Sequence, residues 1–468
     1  MRKFYSLAFV AATLMSVTNI ATAFIDTVPG LSVKFVKVAD LPSSSTDAGA
    51  SKANINVMTR HPAITGSAMN DWITVVDGRG PIHFIDPSGK YQSQLIVNLK
   101  TASPGLNIGS ATAGNSELGV RGFAYHPDFA NSAAQGYLTF YTMSCHYTST
   151  RTLAGAIRLN HNVPPGAPAP VCDNILTEWK MVSATNLMAD LKSRREVLRF
   201  PQLHGNHGTD ALVFDPVTKW LYIAAGDGGR QGDPYNVASN VEYLYGKILR
   251  INPFKPGVTI PSNMLRAVDG AWSFPASNPG AGSKPGRNAY YVKGLRHPET
   301  MFINGSDLVI ADIGGSAFEE INILKLTGDE NGSFGWKTVE GLWPTTTSTI
   351  PPVAGYSHGE NGGSSAIIVG GVPVNTLGSA FNGKVILGDL KSGNIYYGDL
   401  AAMKAARSWS KPMVVLKKMV LLNSYNQTTT LMATYGQNGR VDLRLAEIGG
   451  TIYGVSKQKG IMFKLGAI

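Results

Sequence analysis

Short apolar strands recur along the chain, each followed by a turn rich in Asp, Pro and Gly and then by a second apolar or alternating strand. This pattern predicts antiparallel β-structure. A short stretch near Ala184–Ser193 is the one place with helical periodicity. Six such units follow one another: Trp72–Val76 with Ile82–Pro87, Gly122–Asp128 with Tyr137–Tyr141, Ala211–Pro216 with Leu221–Ala224, Glu299–Ile303 with Leu308–Ala311, Ala366–Gly370 with Lys384–Leu387, and Asp442–Leu445 with Thr451–Val455.

Six antiparallel units in tandem favour an all-β, six-bladed β-propeller over a sandwich, because radial repetition protects every edge strand. The last unit ends near Phe463–Leu465, and a closed ring needs a further strand to complete it. The alternating segment Leu31–Val36 is predicted to supply that strand. The chain is therefore expected to form a single propeller domain over residues 24–468, with long inter-strand loops.

The first 23 residues have the pattern of an export signal. Arg2 and Lys3 precede the largely apolar stretch Leu7–Val17, and Ala21–Ala23 is a small-residue cleavage site. An uncleaved anchor is the alternative, but the apolar run is shorter than the ~20 residues that a membrane span needs. No later segment is long and apolar enough to span either. The expected location is periplasmic or secreted.

Cysteine content and charge narrow the class further. In an oxidising compartment, Cys145 and Cys172 are most simply one disulfide, although two buried thiols remain an alternative. The 52 glycines and only 15% charged residues exclude a disordered chain or a coiled coil. Lys and Arg number 41 against 31 Asp and Glu, but the excess is not gathered into basic blocks, so nucleic acid is not an expected partner.

One histidine and one aspartate flank a predicted hairpin. His207 comes just before a strand, and Asp227, within Gly226–Gly229, comes just after the next one. Such a pair suits a general base, because the carboxylate fixes the imidazole tautomer and stabilises the imidazolium. The alternative is that His207 caps a turn and the glycines form an ordinary hairpin turn.

A series of motifs, in order along nearly the whole chain, resembles the glucose/sorbosone dehydrogenase family. That family comprises soluble, pyrroloquinoline-quinone (PQQ)-dependent aldose sugar dehydrogenases, which are six-bladed propellers. The motifs that carry the resemblance are Ser116–Phe129, Asn206–Gly208, Gly226–Gly229, Gly246–Ile251, Gly294–Pro298, Asp312–Gly315 with Glu319–Asn322, Phe334–Trp336 and Gly388–Gly393.

The resemblance implies a set of site residues. The family's base matches His207, its orienting aspartate matches Asp227, and the arginine at the quinone oxygens matches Arg296. Ca²⁺ held against the cofactor would use the carbonyls of Gly314 and Gly315, and a second, structural Ca²⁺ would use Glu320 and the loop around Phe334. The remaining positions expected to bind the cofactor are Glu117, Asn206, His297, His358, Lys391, Arg440 and Arg444.

The implied activity is oxidation of a carbohydrate hydroxyl, with hydride passing to PQQ and electrons then to an acceptor that the sequence does not identify. PQQ carries three carboxylates, so its pocket needs Lys and Arg. Several positions depart from the family pattern. Glu117 replaces glutamine or arginine, Asp210 replaces arginine, and His297 replaces asparagine. His358 stands where the glucose-type branch has a tryptophan, and Gln231–Asp233 match only loosely. A non-catalytic extracellular propeller that binds a carbohydrate or protein partner is therefore the alternative, and a lactonase-like hydrolase built around Ca²⁺ is a third.

Overall fold

The computed structural model describes residues 23–45, 50–88, 93–101, 108, 117–147, 157–257, 260–280, 286–341, 348–363 and 365–468. The predicted export signal lies outside these residues except for its last position, Ala23. No helix within the described ranges combines the length and the apolar content needed to cross a bilayer.

The described chain begins with two strands that join sheets formed much later in the sequence, β1 (Ile25–Asp26) and β2 (Ser32–Asp40). Blade 1 contains β3 (Ile55–Arg60), β4 (Ile73–Asp77), β5 (Pro81–Ile85) and β6 (Ser93–Asn98). Blade 2 contains β7 (Val120–Tyr125), β8 (Thr139–His146), β9 (Cys172–Met181) and β10 (Ala189–Gln202), with a 3₁₀ turn at Asn160–Asn162.

Blades 3 and 4 follow the same order. Blade 3 begins with β11 (Thr209–Phe214), β12 (Leu221–Ala225) and β13 (Lys247–Ile251). A separate hairpin, β14 (Met264–Arg266) and β15 (Ser273–Pro275), and a 3₁₀ turn at Arg287–Ala289 precede its last strand, β16 (Tyr290–Lys293). Blade 4 contains β17 (Pro298–Asn304), β18 (Asp307–Asp312), β19 (Phe318–Lys325) and β20 (Ala354–Ser357).

Blades 5 and 6 include the N-terminal strands. Blade 5 contains β21 (Ile367–Gly371), a 3₁₀ turn at Ser379–Phe381, β22 (Lys384–Asp389), β23 (Ile395–Asp399), helix α1 (Leu400–Ala405) and β24 (Leu416–Lys418), with β1 parallel to β24. Blade 6 is formed by β25 (Val420–Leu422), β26 (Thr428–Thr429), helix α2 (Leu431–Tyr435), β27 (Leu443–Ile448), β28 (Thr451–Ser456), β29 (Ile461–Gly466) and β2.

Strand β2 closes the ring. It pairs antiparallel with β29, in a register that runs from Lys34 opposite Gly466 to Asp40 opposite Ile461, and parallel with β25 on its other side. The six main sheets form a six-bladed β-propeller, which confirms the predicted fold class. The strand predicted over Leu31–Val36 is β2, one residue later at its start and longer at its end.

The hydrophobic core is divided among the six blade interfaces. Between blades 1 and 2, for example, Phe84 lies in one cluster with Phe123 and Phe140, whose rings stack 5.4 Å apart. Comparable clusters fill the other five interfaces. Full burial of each large apolar side chain contributes about 1.5–3 kcal/mol, so the interfaces between blades stabilise the ring.

The first strand of each blade borders the first strands of the two adjacent blades, and these six strands (β3, β7, β11, β17, β21 and β27) surround a central channel. In blade 1 this inner strand is Ile55–Arg60, so the first predicted unit, Trp72–Val76, is the second strand. The stretch with helical periodicity, Ala184–Ser193, runs into β10, whose pairing with β9 shifts register after Asp190. That irregularity interrupts the alternation expected of a strand.

Candidate active site

A cavity of about 330 Å³ lies at the end of the channel where the inner strands begin. Six Lys or Arg residues line it, against three Asp or Glu residues, so its wall carries net positive charge when the histidines are neutral. The cations are Arg79, Arg121, Arg296, Arg440, Arg444 and Lys457, and the anions are Glu117, Glu299 and Asp442. His207, His297 and His358 also line the cavity.

His207 and Asp227 lie at the same end of the β11–β12 hairpin, because Thr209 is paired with Ala225. His207 Nδ1 is 2.7 Å from Asp227 Oδ1, and both side chains are buried. Since Nδ1 is engaged by the carboxylate, Nε2 is the ring nitrogen left to face the cavity that His207 lines. The structure therefore brings together the pair selected from the sequence, in an arrangement suited to a general base.

Asp227 is itself held in place by two further donors. Trp336 Nε1 donates to Asp227 Oδ2 at 2.9 Å, and the Gly229 amide donates to Oδ1 at 3.1 Å. The backbone amide of Asp227 donates to the carbonyl of Arg296 at 2.7 Å. The first two contacts orient the carboxylate and the third holds its backbone, so His207 meets an oriented acceptor.

The loop that carries His207 is anchored by one amide. Buried Gln202 donates through Nε2 to the carbonyls of His204 at 2.9 Å and Asn206 at 3.0 Å. Asn206, predicted to bind the cofactor, does not line the cavity; its Oδ1 accepts from the Arg230 amide at 3.3 Å. Asn206 thus shapes the loop around His207.

Arg296 lies beside this pair with spare hydrogen-bonding capacity. Its Nη1 donates to the carbonyl of Ile313 at 3.0 Å, and its guanidinium lies 5.5 Å from the Trp336 ring centroid. Its Nε is buried and has no partner among the described residues. Because an unsatisfied buried donor is costly, Arg296 is prepared to bind an acceptor in the cavity.

Three of the positions that depart from the family pattern lie in one network. His297 Nε2 is 2.6 Å from Asp210 Oδ2 and 3.8 Å from Glu117 Oε2. Asp210 is also paired with Arg121, and Glu117 accepts from the His207 amide at 2.6 Å. Burial alone would raise the pKa of the Asp210 carboxyl, but Arg121 and His297 outweigh it and hold that pKa well below its ordinary value.

The floor of the cavity is a buried ionic cluster, of which only Arg444 was among the predicted site residues. Glu299 pairs with Arg121, Nη2 to Oε1 at 2.8 Å, and with Arg444. Lys457 Nζ contacts the side-chain oxygens of Asn56 at 2.6 Å and Asn54 at 3.1 Å, and it forms no ion pair within the described chain. Burial lowers the pKa of Lys457 well below its ordinary value.

Of the remaining residues predicted to bind the cofactor, His358, Arg440 and Arg444 line the cavity and Lys391 does not. His358 Nε2 is 2.8 Å from Glu319 Oε1, and Arg440 lies at the rim beside Asp442. Arg444 is buried at the floor. Lys391 is not among the lining residues, and its neighbour Leu390 forms that part of the wall.

The predicted metal positions are also separated. Gly314 and Gly315 line the cavity, and the Gly315 amide donates to Glu340 Oε1 at 2.8 Å. Glu320 does not line the cavity; its two oxygens accept from the Gly341 amide and from Asn322. Burial raises the pKa of Glu320 to about 8. The described residues contain no group of three His, Cys, Asp or Glu side chains placed to hold a metal ion.

The predicted disulfide between Cys145 and Cys172 is present, with Cα atoms 5.8 Å apart. It joins the end of β8 to the start of β9 and packs against Leu118. Because Leu118 follows Glu117 directly, the bond braces the segment that approaches His207.

No family model matches the chain. HIPL1 protein of Arabidopsis thaliana is 25% identical over 339 residues, which are 65% of this chain and 47% of the plant protein. The chain thus spans about half the length of the curated relatives it matches. The name of the plant protein states no activity.

Solved structures of the same fold match almost end to end. The PQQ-bound aldose sugar dehydrogenase of Streptomyces coelicolor has a TM-score of 0.56 and 16% identity, covering 94% of this chain and 99% of its own. The soluble aldose sugar dehydrogenase of Escherichia coli, in its apo form, has a TM-score of 0.58 and 15% identity, covering 93% and 99%. At these identities the likeness establishes the fold, and at that level the resemblance to the soluble PQQ-dependent sugar dehydrogenases is confirmed.

Proposed function

We propose that this protein is an exported, PQQ-dependent oxidoreductase that oxidises a hydroxyl group of an aldose sugar or a related carbohydrate. The observation that carries the proposal is the His207–Asp227 pair, which opens into a cation-rich cavity beside a buried Arg296 with an unpartnered Nε. The cofactor and substrate class are those named for the solved dehydrogenases of the same fold.

The charges in the cavity suit a polycarboxylate. Lys457 has only neutral amide oxygens as partners, and Arg296 has a donor to spare. Arg79 and Arg440 add charge nearer the opening. A ligand with three carboxylates would supply the acceptors that these groups lack, and Arg–carboxylate contacts are among the strongest hydrogen bonds in proteins.

Calcium would be held mainly by backbone oxygen. The carbonyls of Gly314 and Gly315 are the candidate protein ligands, and Ca²⁺ accepts such hard oxygen donors in flexible geometry. Glu340 supports this turn by accepting from the amides of Gly315 through Phe318. Since carboxylates do not complete a site there within the described residues, the ion would depend on oxygens of the cofactor.

PQQ, when bound, would supply the two-electron acceptor that takes hydride from the substrate carbon. The protein's part is proton transfer and orientation. His207 accepts the hydroxyl proton at Nε2, and Asp227 fixes the tautomer and stabilises the imidazolium. Trp336 and Gly229 keep Asp227 in that orientation. Arg296 offers a charged donor to an oxygen that gains negative charge.

The two alternatives have less support. The hypothesis of a non-catalytic propeller depends on Asp210 and Glu117, whose negative charges would repel an anionic ligand. The charge of Asp210, however, is offset by its contacts with Arg121 and His297. A Ca²⁺-centred hydrolase needs several carboxylates around one ion, and no such group is found in the described part of the chain.

The experiment is a titration of the purified full-length protein with PQQ and Ca²⁺, followed by absorbance during addition of aldose sugars. We expect saturable binding and then reduction of the bound cofactor by a sugar. Binding without reduction by any of a broad panel of sugars and other alcohols would favour the non-catalytic propeller. Absence of binding would refute the proposal.

A matched pair of variants makes the titration specific to the cavity. Arg296→Gln removes the charged donor, and we expect PQQ affinity to fall at least tenfold. Arg60→Gln removes the same charge from a side chain that is 52% exposed and paired with Asp71 outside the cavity. Equal affinities for the two variants would contradict the role given to Arg296.

A further inference from the structure

His297 shares with His207 an arrangement that the family motifs did not predict. The two rings are stacked with centroids 5.1 Å apart and planes at 29°. Each ring has one nitrogen engaged by a carboxylate: His207 Nδ1 by Asp227, and His297 Nε2 by Asp210. Both residues line the cavity, and within the described part of the chain the hydrogen bond of the His297 ring is made at Nε2, which leaves Nδ1 for a ligand. Two imidazoles thus face one ligand space.

The surroundings of His297 are strongly acidic on several sides. Glu117 approaches from the segment before β7, Asp210 lies on β11, and Glu299 lies on β17. Arg121 on β7 faces the far side of Asp210, and the His297 backbone amide donates to Asp312 at 2.6 Å. Burial lowers the pKa of His297, but Glu117 and Asp210 outweigh it and raise that pKa to about 9.

The departures from the family pattern therefore compensate one another. An asparagine at position 297 would need no counterion, whereas a buried imidazolium needs one, and Asp210 supplies it at hydrogen-bond distance. Arg121 in turn offsets the second oxygen of Asp210. Asp210, which alone would repel an anionic ligand, serves here to keep a positive charge beside it.

We propose that His297 is a charged ligand-binding residue of this cavity, held as an imidazolium by Asp210 and Glu117 and donating through its second ring nitrogen to an oxygen of a bound polycarboxylate. The inference rests on the proposed function for the identity of that ligand. It adds that the charge of the site titrates, so ligand binding weakens when His297 loses its proton. An uncharged asparagine could not produce this behaviour.

The first test is PQQ binding to the full-length protein with Ca²⁺ between pH 7 and pH 10, followed by tryptophan fluorescence. Carboxylates remain ionised over this range, so the ligand's carboxylate charge does not change. We expect the wild-type Kd to rise at least tenfold with pH. In His297→Asn, which keeps an amide donor, Kd should be raised at pH 7 and should rise less steeply than the wild-type Kd from pH 7 to pH 10, because the buried Lys457 still lines the cavity. His83→Asn, on β5 away from the cavity, is the control and should keep the wild-type profile.

The second test does not depend on the ligand. Nitrogen-15 spectra of the nine histidine rings should contain one ring that is absent in His297→Asn and titrates near pH 9. In Asp210→Asn its midpoint should fall by at least one pH unit. A neutral His297 at pH 7, or identical binding profiles for wild type and His297→Asn, would overturn the inference. Absence of PQQ binding to the wild type would refute the proposed function and this ligand assignment, while the spectra would still decide the charge of His297.

Discussion

The same six inner strands form both ends of the central channel, but the two ends differ in the side chains that line them. A cavity of about 330 Å³ lies at each end. The end where the strands begin is lined mostly by loop residues, together with Arg121, Glu299 and Arg444 from the inner strands. The other end is lined by strand residues such as Met58, Phe302 and Leu445. Arg121 and Glu299 line both cavities and separate them. The inner strands frame both ends and supply the ionic cluster between them, whereas the loops supply His207, Arg296 and His297 at one end only.

The largest effect should come from the pair at the loop end. Asp227→Asn leaves a side chain of the same size but no negative charge for the His207 imidazolium, so we expect kcat to fall by about 10³–10⁴. PQQ affinity should change little, because Asp227 contacts the imidazole and not the ligand space. The check is steady-state kinetics with a parallel PQQ titration. Equal losses in kcat and in affinity would mean that Asp227 shapes the pocket and does not orient the base.

The ionic cluster that separates the two cavities, Arg121 with Glu299 and Arg444, should contribute to the stability of the fold. Glu299→Gln leaves Arg121 and Arg444 buried without their shared carboxylate, and breaking a buried pair in this way costs about 3–5 kcal/mol. The free energy of unfolding from urea denaturation measures this loss. An unfolding free energy within about 0.5 kcal/mol of the wild type would show that the pairing of Glu299 with Arg121 and Arg444 does not stabilise the fold.

The strand end supplies the contrasting variant. Leu445→Ala removes a buried side chain packed between blades 5 and 6, and we expect a loss of about 2–4 kcal/mol in unfolding free energy. Because Leu445 lines only the strand end, the PQQ affinity of the folded protein should stay within twofold of wild type. A larger change in affinity would contradict the claim that only the loop end of the channel binds the ligand.

The smallest effect is a pH dependence of stability. The pKa of His297 is raised from 6.5 to about 9, so the stabilisation that its pairing provides is complete below about pH 6.5 and is lost as pH rises through 9. The loss should be on the order of 2 kcal/mol, as for a hydrogen bond to a charged group. Urea denaturation at pH 7 and pH 10 should reveal it in the wild type but not in His297→Asn.

Sequence reasoning succeeded where the signal is local. The strand–turn–strand units, the closing strand, the cysteine pair and the His207–Asp227 hairpin each depend on residues close together or on alternation along a strand. It missed Arg121, Glu299 and Lys457, which meet at the channel floor from blades far apart in the chain. Lys457 lies in the short turn after β28 and belongs to no motif.

The stretch that was read as helical has a physical explanation. The apparent helix near Ala184–Ser193 reflects an irregular strand pair, because the register of β10 shifts after Asp190 and again after Glu196. Lys391, assigned to the cofactor by its motif, stays a prediction: Leu390, the residue before it, lines the cavity and Lys391 does not.

The pairing of β2 with β29 sets the order in which this molecule can be completed. These strands lie more than 400 positions apart, so the ring cannot close until β29 has been synthesised. Until then β2 has no partner on that edge, and the interface between blades 6 and 1 stays open. Contacts of such large sequence separation slow folding and leave strand edges exposed. The nascent chain is therefore expected to stay open and accessible to chaperones throughout synthesis. The ring of six blades closes only when β2 pairs with β29.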